Sequence, residues 1–249
     1  EGKVGEKDYK EAIKWYRLAV EQGDIKSKSI LGSMYAEGHG VKKDYKEAIK
    51  WFFSAAKQKD ALGQYNLGEL HAYGKGVPQN YKEAMKWYRL AAEQGDTKSQ
   101  SILGEMYDFG RGVKQDYKKA IEWYLLALEQ NDPSAQSSLG LMYQYGHGVI
   151  QNYDEALRLF YLSAVQKDSY AQSNLGYMYR KGIGVKQDHK EAIKWYRLSA
   201  EQKNPTGQYN LGEMYAMGQG VEKDYQVATK LYTFAAEQRN SEAQKALGD

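Results

Sequence analysis

Apolar and small residues return along this chain in two helical phases, one in each half of a 36-residue block. In the first half a small residue (Ser27, Gly63, Ser99, Ala135, Ala171, Gly207) is followed by Leu at +4, Met or Leu at +7 and Tyr or His at +8. Those offsets share one face of an α-helix, here helix A, and predict the stripe it packs against its neighbours. In the second half Ala48, Ala84, Ala120, Ala156, Ala192 and Ala228 are each followed at +3 by Trp51, Trp87, Trp123, Leu159, Trp195 and Leu231, and then by Tyr or Phe. The alternation of small and large residues predicts the buried face of helix B, with these aromatics in the core.

The blocks keep strict register. Leu-Gly recurs at 31, 67, 103, 139, 175, 211 and 247, and Gly-x-Gly-Val starts at 38, 74, 110, 146, 182 and 218, every step being 36 residues. Asp24, Asp60, Asp96, Asp132, Asp168 and Asn204 stand where helix A should be N-capped, and Pro133 and Pro205 follow two of them at the position a helix tolerates best. The glycines of Gly-x-Gly-Val end helix A and supply positive φ to a tight turn. Asp44, Asn80, Asp116, Asn152, Asp188 and Asp224 then open helix B. The glycine of Leu-Gly is expected to let helix B approach closely, so a bulky residue at Gly104 should push the two helices apart.

This reading gives one solenoid domain over 1–249. It comprises a partial repeat with helix B alone (1–23, helical near Asp8 to Glu21), six full repeats (24–239) and the start of a further helix A (240–249). Each hairpin buries too little by itself and must stack on the next. Neither end is a polar capping repeat, and the chain starts at Glu1 without an initiator Met or an apolar leader, so it is expected to be processed or a fragment.

Composition narrows function more than fold. Apolar residues are 42% and charged residues 27%, as in soluble globular proteins, and no run approaches a membrane span. The 23 Tyr against 5 Phe and 5 Trp suggest rings with one end buried and the hydroxyl wet or bonded. Without Cys there is no disulfide framework and no thiolate chemistry, which fits a reducing or an oxidising compartment alike. Net charge is +3 with Lys at fixed phases, the mark of solvated helix faces and not of a nucleic-acid footprint.

The run Leu-Gly-x-Met-Tyr-x-x-Gly-x-Gly-Val-x-x-Asp-Tyr-x-x-Ala-x-x-Trp-Tyr-x-x-Ala-Ala, carried with minor changes at Leu103 to Leu128, resembles the Sel-1-like repeat family. The resemblance covers essentially the whole chain. It implies an all-α, right-handed α/α superhelical solenoid of 36-residue helix-turn-helix repeats, related to tetratricopeptide arrays. It also implies an adaptor role in protein complexes. The chain departs from the cysteine-rich branch of that family, and Gly2-Lys3-Val4-Gly5 replaces the expected Gly-x-Gly-Val at the amino end, so a distorted turn is expected there.

If packing fixes the repeated positions, the varying ones are free for a partner. On helix A they are the positions of Tyr65 (Ser29, Ser101, Ser137 and Ser173 elsewhere), Glu69, Ala72 and Tyr73, and their equivalents. At 100° per residue they fill a sector of about 100° opposite the Leu/Met/Tyr stripe. The resemblance makes that sector the lining of a concave groove. Tyr65, Glu69, Tyr73, Glu105, Asp108, Phe109, Leu141, Tyr145, Tyr177 and Arg180 are the candidate partner-binding residues, an aromatic centre with charged surroundings. Two ligand classes remain open: a protein or peptide, and a glycan stacked on tyrosine rings. Helix B turns a mostly charged face outward (Lys46, Lys50, Lys82, Lys86), with Phe53, Leu125 and Tyr161 as apolar exceptions.

No catalytic, metal or cofactor site emerges. Ser54-Ala55-Ala56-Lys57 has the Ser-x-x-Lys spacing of penicillin-recognising enzymes, but neither Ser-Asp-Asn nor Lys-Thr-Gly occurs, leaving a β-lactamase-like hydrolase a distant alternative. Gly-x-Gly-Val follows a helix, where a dinucleotide fingerprint needs a strand. His39 and His147 lie three repeats apart, and His71 and His189 replace Tyr, so no shared metal ion is expected. The expected function is a non-catalytic scaffold without cofactors, nucleic acid or a membrane span. The compartment stays open.

Overall fold

A computed structural model describes residues 6–248, and the Gly2 to Gly5 segment lies outside them. Among the described residues the regular structure is helical throughout, with fourteen α-helices in chain order. The chain divides into two compact units, Glu1–Ala127 and Leu128–Asp249. The first holds α1 (Glu6–Glu21), α2 (Ile25–Glu37), α3 (Tyr45–Ala56), α4 (Ala61–Tyr73), α5 (Tyr81–Ala92), α6 (Thr97–Phe109) and most of α7 (Tyr117–Glu129). The second holds α8 (Pro133–Tyr145), α9 (Tyr153–Val165), α10 (Ser169–Lys181), α11 (His189–Glu201), α12 (Pro205–Met217), α13 (Tyr225–Glu237) and α14 (Ser241–Gly248). Even-numbered helices are the A helices, odd-numbered ones the B helices.

The ends of the helices follow from capping chemistry. Each A helix begins with a carboxylate or amide oxygen taking a backbone N–H three residues on, as Asp60 does from Gly63 at 2.7 Å and Asp96 from Ser99 at 2.8 Å. Gly74 at φ +66° and Gly76 at φ +74° then turn the chain, and Asn80 caps α5 by accepting from the Glu83 N–H. The same device recurs in the second unit with Asp168, Gly182, Gly184 and Asp188. A glutamine just past the turn holds it shut: Gln79 donates to the Ala72 carbonyl at 2.8 Å and Gln187 to that of Arg180 at 2.8 Å.

Within a hairpin the glycine of Leu-Gly is where the helices meet. A Cβ at Gly68 would lie 2.6 Å from the Tyr88 ring, and one at Gly176 2.6 Å from that of Tyr196. The buried cores then join each B helix to the A helix that follows it: Ala48, Phe52, Ala56, Leu67 and Leu70 form one between α3 and α4, and Ala156, Phe160, Ala164, Ala171, Leu175 and Met178 one between α9 and α10. The ring sealed inside is the residue after the Trp position (Phe52, Tyr88, Tyr124, Phe160, Tyr196), all essentially fully buried. The indoles of Trp51, Trp87, Trp123 and Trp195 were expected in the core and are half-buried, those of Trp51, Trp87 and Trp195 packing against core clusters from their edges. The two positions sit 100° apart on helix B, and the one aimed at its own A helix goes deepest.

The cores also contain polar side chains. Gln64, Gln100, Gln136, Gln172 and Gln208 are buried on the A helices. Gln64 accepts from Gln94 at 2.7 Å, Gln172 from Gln202 at 2.8 Å and Gln208 from Gln238 at 2.9 Å. Gln100 and Gln172 also donate to the carbonyls of Ala92 and Ala164, at the end of the preceding B helix. A buried amide would cost stability if left unpaired, so these bonds tie consecutive helices in a fixed register.

Candidate partner-binding surface

The four varying positions of helix A part company once the helices pack. The position of Ser29, Ser101, Ser137 and Ser173 is buried between neighbours. The Ser29 hydroxyl donates to Asp60, the cap of the next A helix, at 2.6 Å, and Ser173 bonds the Ser199 hydroxyl at 2.8 Å. This corrects the expected open sector of about 100°: one edge of it is a helix contact, and the small hydroxyl is there for packing.

In the first unit Tyr65 is half-buried, its ring 6.0 Å from that of Tyr88. Glu69 accepts from the Tyr88 hydroxyl at 2.9 Å. Burial, followed by the nearby Glu69 carboxylate, pushes the Tyr65 phenol up to about 12. Tyr88 is raised by the same two causes, and Tyr73 is raised first by Glu69 and then by burial. Of these phenols Tyr88 is the one that donates, to Glu69. Glu69, Tyr73, Tyr88, Glu105 and Arg111 line a cavity of about 70 Å3 on this face, with Glu105 and Asp108 half-buried. Tyr73, at this cavity, and Phe109 are each 62% exposed.

In the second unit Tyr145 is 58% exposed and Tyr177 is exposed to a lesser degree, while half-buried Leu141 packs against the core of Phe160 and Leu175. Arg180 is a different case. It is only 9% exposed and its guanidinium is committed within the unit, 3.3 Å from Glu213 and donating to Gln219 at 3.0 Å. At this position a long side chain folds onto the next A helix, and Arg180 clips α10 to α12.

One feature escaped the sequence reading although its signal was present. The middle residue of Gly-x-Gly pairs with the exposed residue two places before it. Lys75 lies 5.1 Å over the Tyr73 ring and Arg111 5.3 Å over Phe109, while the rings of His147 and Tyr145 are 5.7 Å apart and His39 meets Glu37 at 3.0 Å. Both members vary from repeat to repeat, but Ile183 packs on the core of Phe160 and Leu175 and Gln219 accepts from Arg180, so the pairing holds in only part of the array.

The Lys57 ammonium lies 4.6 Å over the Phe53 ring, so the Ser54/Lys57 pair has its lysine engaged elsewhere. Among the described residues no three His, Asp or Glu side chains gather to hold a metal ion, and no helix is long and apolar enough to cross a membrane.

Capped hairpins and glycine-mediated contacts define the class: an all-α repeat solenoid. The Sel1 repeat family model matches residues 1–24, 27–60, 61–96, 97–132, 133–168, 169–204 and 205–240. The chain belongs to the Sel1 repeat family, whose members are generally protein-interaction scaffolds of non-catalytic fold.

A Sel1 repeat protein from Oxalobacter formigenes is 33% identical, with the match covering 92% of each chain at a TM-score of 0.87. A protective antigen of uropathogenic Escherichia coli strains, described as displaying an SLR fold, is 41% identical over 96% of this chain at a TM-score of 0.76. The chain spans about half of that protein, 52% of its length. An immunity protein from Pseudomonas aeruginosa, 17% identical over 86% of this chain and 81% of its own, shares the fold at a TM-score of 0.58. No curated protein matches the chain.

Proposed function

We propose that the chain is a non-catalytic adaptor that holds a protein or peptide partner on the exposed edge of its A helices. The contact residues are Tyr73, Glu105, Asp108 and Phe109 in the first unit and Tyr145 and Tyr177 in the second, with Tyr65, Glu69 and Leu141 half-buried behind them. Arg180 supports this surface from within. The observation that carries the reading is the contrast between two sets of rings. Tyr88 and Tyr124 are sealed in the core, whereas Tyr73 and Phe109, which the packing does not use, are 62% exposed. Large rings standing in solvent beside carboxylates are the composition of interface hot spots.

A glycan reading draws less support, because Lys75 and Arg111 each lie over a ring that a sugar would need for stacking. Pull-down with the chain and with a Tyr73→Ala/Phe109→Ala/Tyr145→Ala variant, beside a glycan array, tests the proposal. The expected result is protein partners captured by the parent and lost by the variant at unchanged helical circular dichroism. Full retention of those partners by the variant would reject the surface, and ring-dependent array binding would favour the glycan.

A further inference from the structure

The Trp position of helix B carries a second signal. In α5 the Trp87 indole packs on the core containing Ala56 and Leu67 and meets the Phe53 ring edge-on, with centroids 6.1 Å apart and planes at 79°. Trp195 in α11 repeats this on the core containing Ala164 and Leu175, against Tyr161 at 6.1 Å and 80°. One period further on Ala200 and Leu211 keep the floor, but Leu231 stands at the Trp position and Arg197 at that of Phe53 and Tyr161. There the second unit opens a cleft of about 580 Å3, whose lining includes Arg197, Ala200, Glu201, Leu211, Leu231 and Phe234.

By register the cleft stands where α5 and α11 hold an indole, whereas Leu159 at the same position of α9 is fully buried. The volume of the cleft lies within the range of about 300–1,000 Å3 usual for ligand pockets. Its charged lining is mixed, with Glu201, Lys203 and Glu237 beside Arg197, and Arg197 is the group placed to meet a ring. Arg197 is exposed and makes no hydrogen bond or ion pair among the described residues, whereas Arg89 at the same register donates to the Tyr107 hydroxyl at 2.7 Å. An uncommitted guanidinium at the wall complements the negative face of an aromatic system. Exposed Phe234, where Leu90 and Leu198 stand in other repeats, adds an aromatic wall.

We propose that this cleft is a binding site for an indole-sized aromatic side chain presented by a partner polypeptide, separate from the A-helix surface. The probe is N-acetyl-tryptophanamide, titrated against the full chain by ligand-observed saturation-transfer NMR, with N-acetyl-leucinamide as the apolar control. The tryptophan amide is expected to bind and the leucine amide to bind several-fold more weakly. Leu231→Trp fills the cleft and should abolish binding. Arg197→Ala removes an exposed side chain and should weaken binding about 2–5-fold, the loss of one exposed cation–π contact. The Tyr73→Ala/Phe109→Ala/Tyr145→Ala variant should bind the probe like the parent, so the two surfaces can fail independently.

Equal binding of both amides, or unchanged binding by Leu231→Trp, overturns the proposal. Should Leu231→Trp lose its helical circular dichroism, Arg197→Ala decides, and an unchanged affinity there overturns it as well.

Discussion

Gly176→Ala sets two physical terms against each other, and the structure says which wins. In a helix interior alanine is better than glycine by about 1 kcal/mol, so local propensity alone forecasts a more stable α10. Against this, a Cβ at Gly176 would lie 2.6 Å from both Cδ1 and Cε1 of Tyr196 and 3.0 Å from its Cγ. Those are ring atoms of a fully buried side chain, not the tip of a flexible one, so relief requires α10 and α11 to separate. Overpacking of this kind costs about 1–3 kcal/mol. The clash outweighs the propensity gain, and a net loss of about 1 kcal/mol is expected.

The assay is urea denaturation followed by circular dichroism, run as a double-mutant cycle with Tyr196→Leu. Without the ring the added methyl meets space, and Gly176→Ala should then stabilise by about 1 kcal/mol. A rise in the urea midpoint on Gly176→Ala in the natural background would refute the close-approach argument, as would an equal cost in both backgrounds.

Asp60→Ala removes both the cap on Gly63 and the acceptor of the Ser29 hydroxyl, so a loss of about 1–2 kcal/mol is expected in thermal denaturation. Arg180→Ala breaks the pair with Glu213 and the bond to Gln219. It should cost about 2 kcal/mol in the same assay, the scale of a charged hydrogen bond, whereas exposed Tyr145→Ala should leave stability unchanged. Tyr65 and Tyr232 are both raised to about 12, chiefly by burial and then by Glu69 and Glu213, against about 10 in an unfolded chain. Between these values the unfolded chain releases protons that the folded one keeps. The stability from these phenols is therefore full below about pH 10 and lost as pH rises toward about 12, and Tyr65→Phe should flatten that alkaline slope in melting experiments.

The helix boundaries were legible because they are set by local chemistry: Asp60, Gly74 and Asn80 do in the structure what capping and turn rules require of them. So was the Leu-Gly contact, since a glycine in mid-helix at fixed period has little use except closeness. What stayed hidden depends on which neighbour a face meets. Trp87 and Tyr88 both belong to an apolar face, and only the tertiary arrangement seals Tyr88 and leaves Trp87 half-buried. Ser29 and its equivalents passed for surface because they are polar and alternate with Tyr65 and Tyr209, yet the serine fits a contact between helices. Arg180 went the same way, because a varying charged residue can serve one helix as readily as a partner. The glutamines recur at every period from Gln64 to Gln244, and a rule that equates burial with apolarity passes over them.

Separation of packing from display follows from this geometry. The Leu-Gly contact, the caps and the buried amides leave little tolerance, so substitutions there reach the neighbouring helix at once. At Tyr73/Lys75 and Phe109/Arg111 the residue before the first turn glycine and the residue between the two glycines are both exposed, whereas Ile183 packs on a core and Gln219 holds Arg180. In the exposed pairs the two side chains touch one another and solvent, Tyr73 with Lys75 and Phe109 with Arg111. The Tyr73/Lys75 and Phe109/Arg111 pairs can therefore change at little cost to the hairpins that bear them. If recognition resides there, exchanging the Tyr73/Lys75 pair for Met217/Gln219 should alter partner capture while leaving the melting temperature in place. A matched fall in both would place those residues in the packing after all.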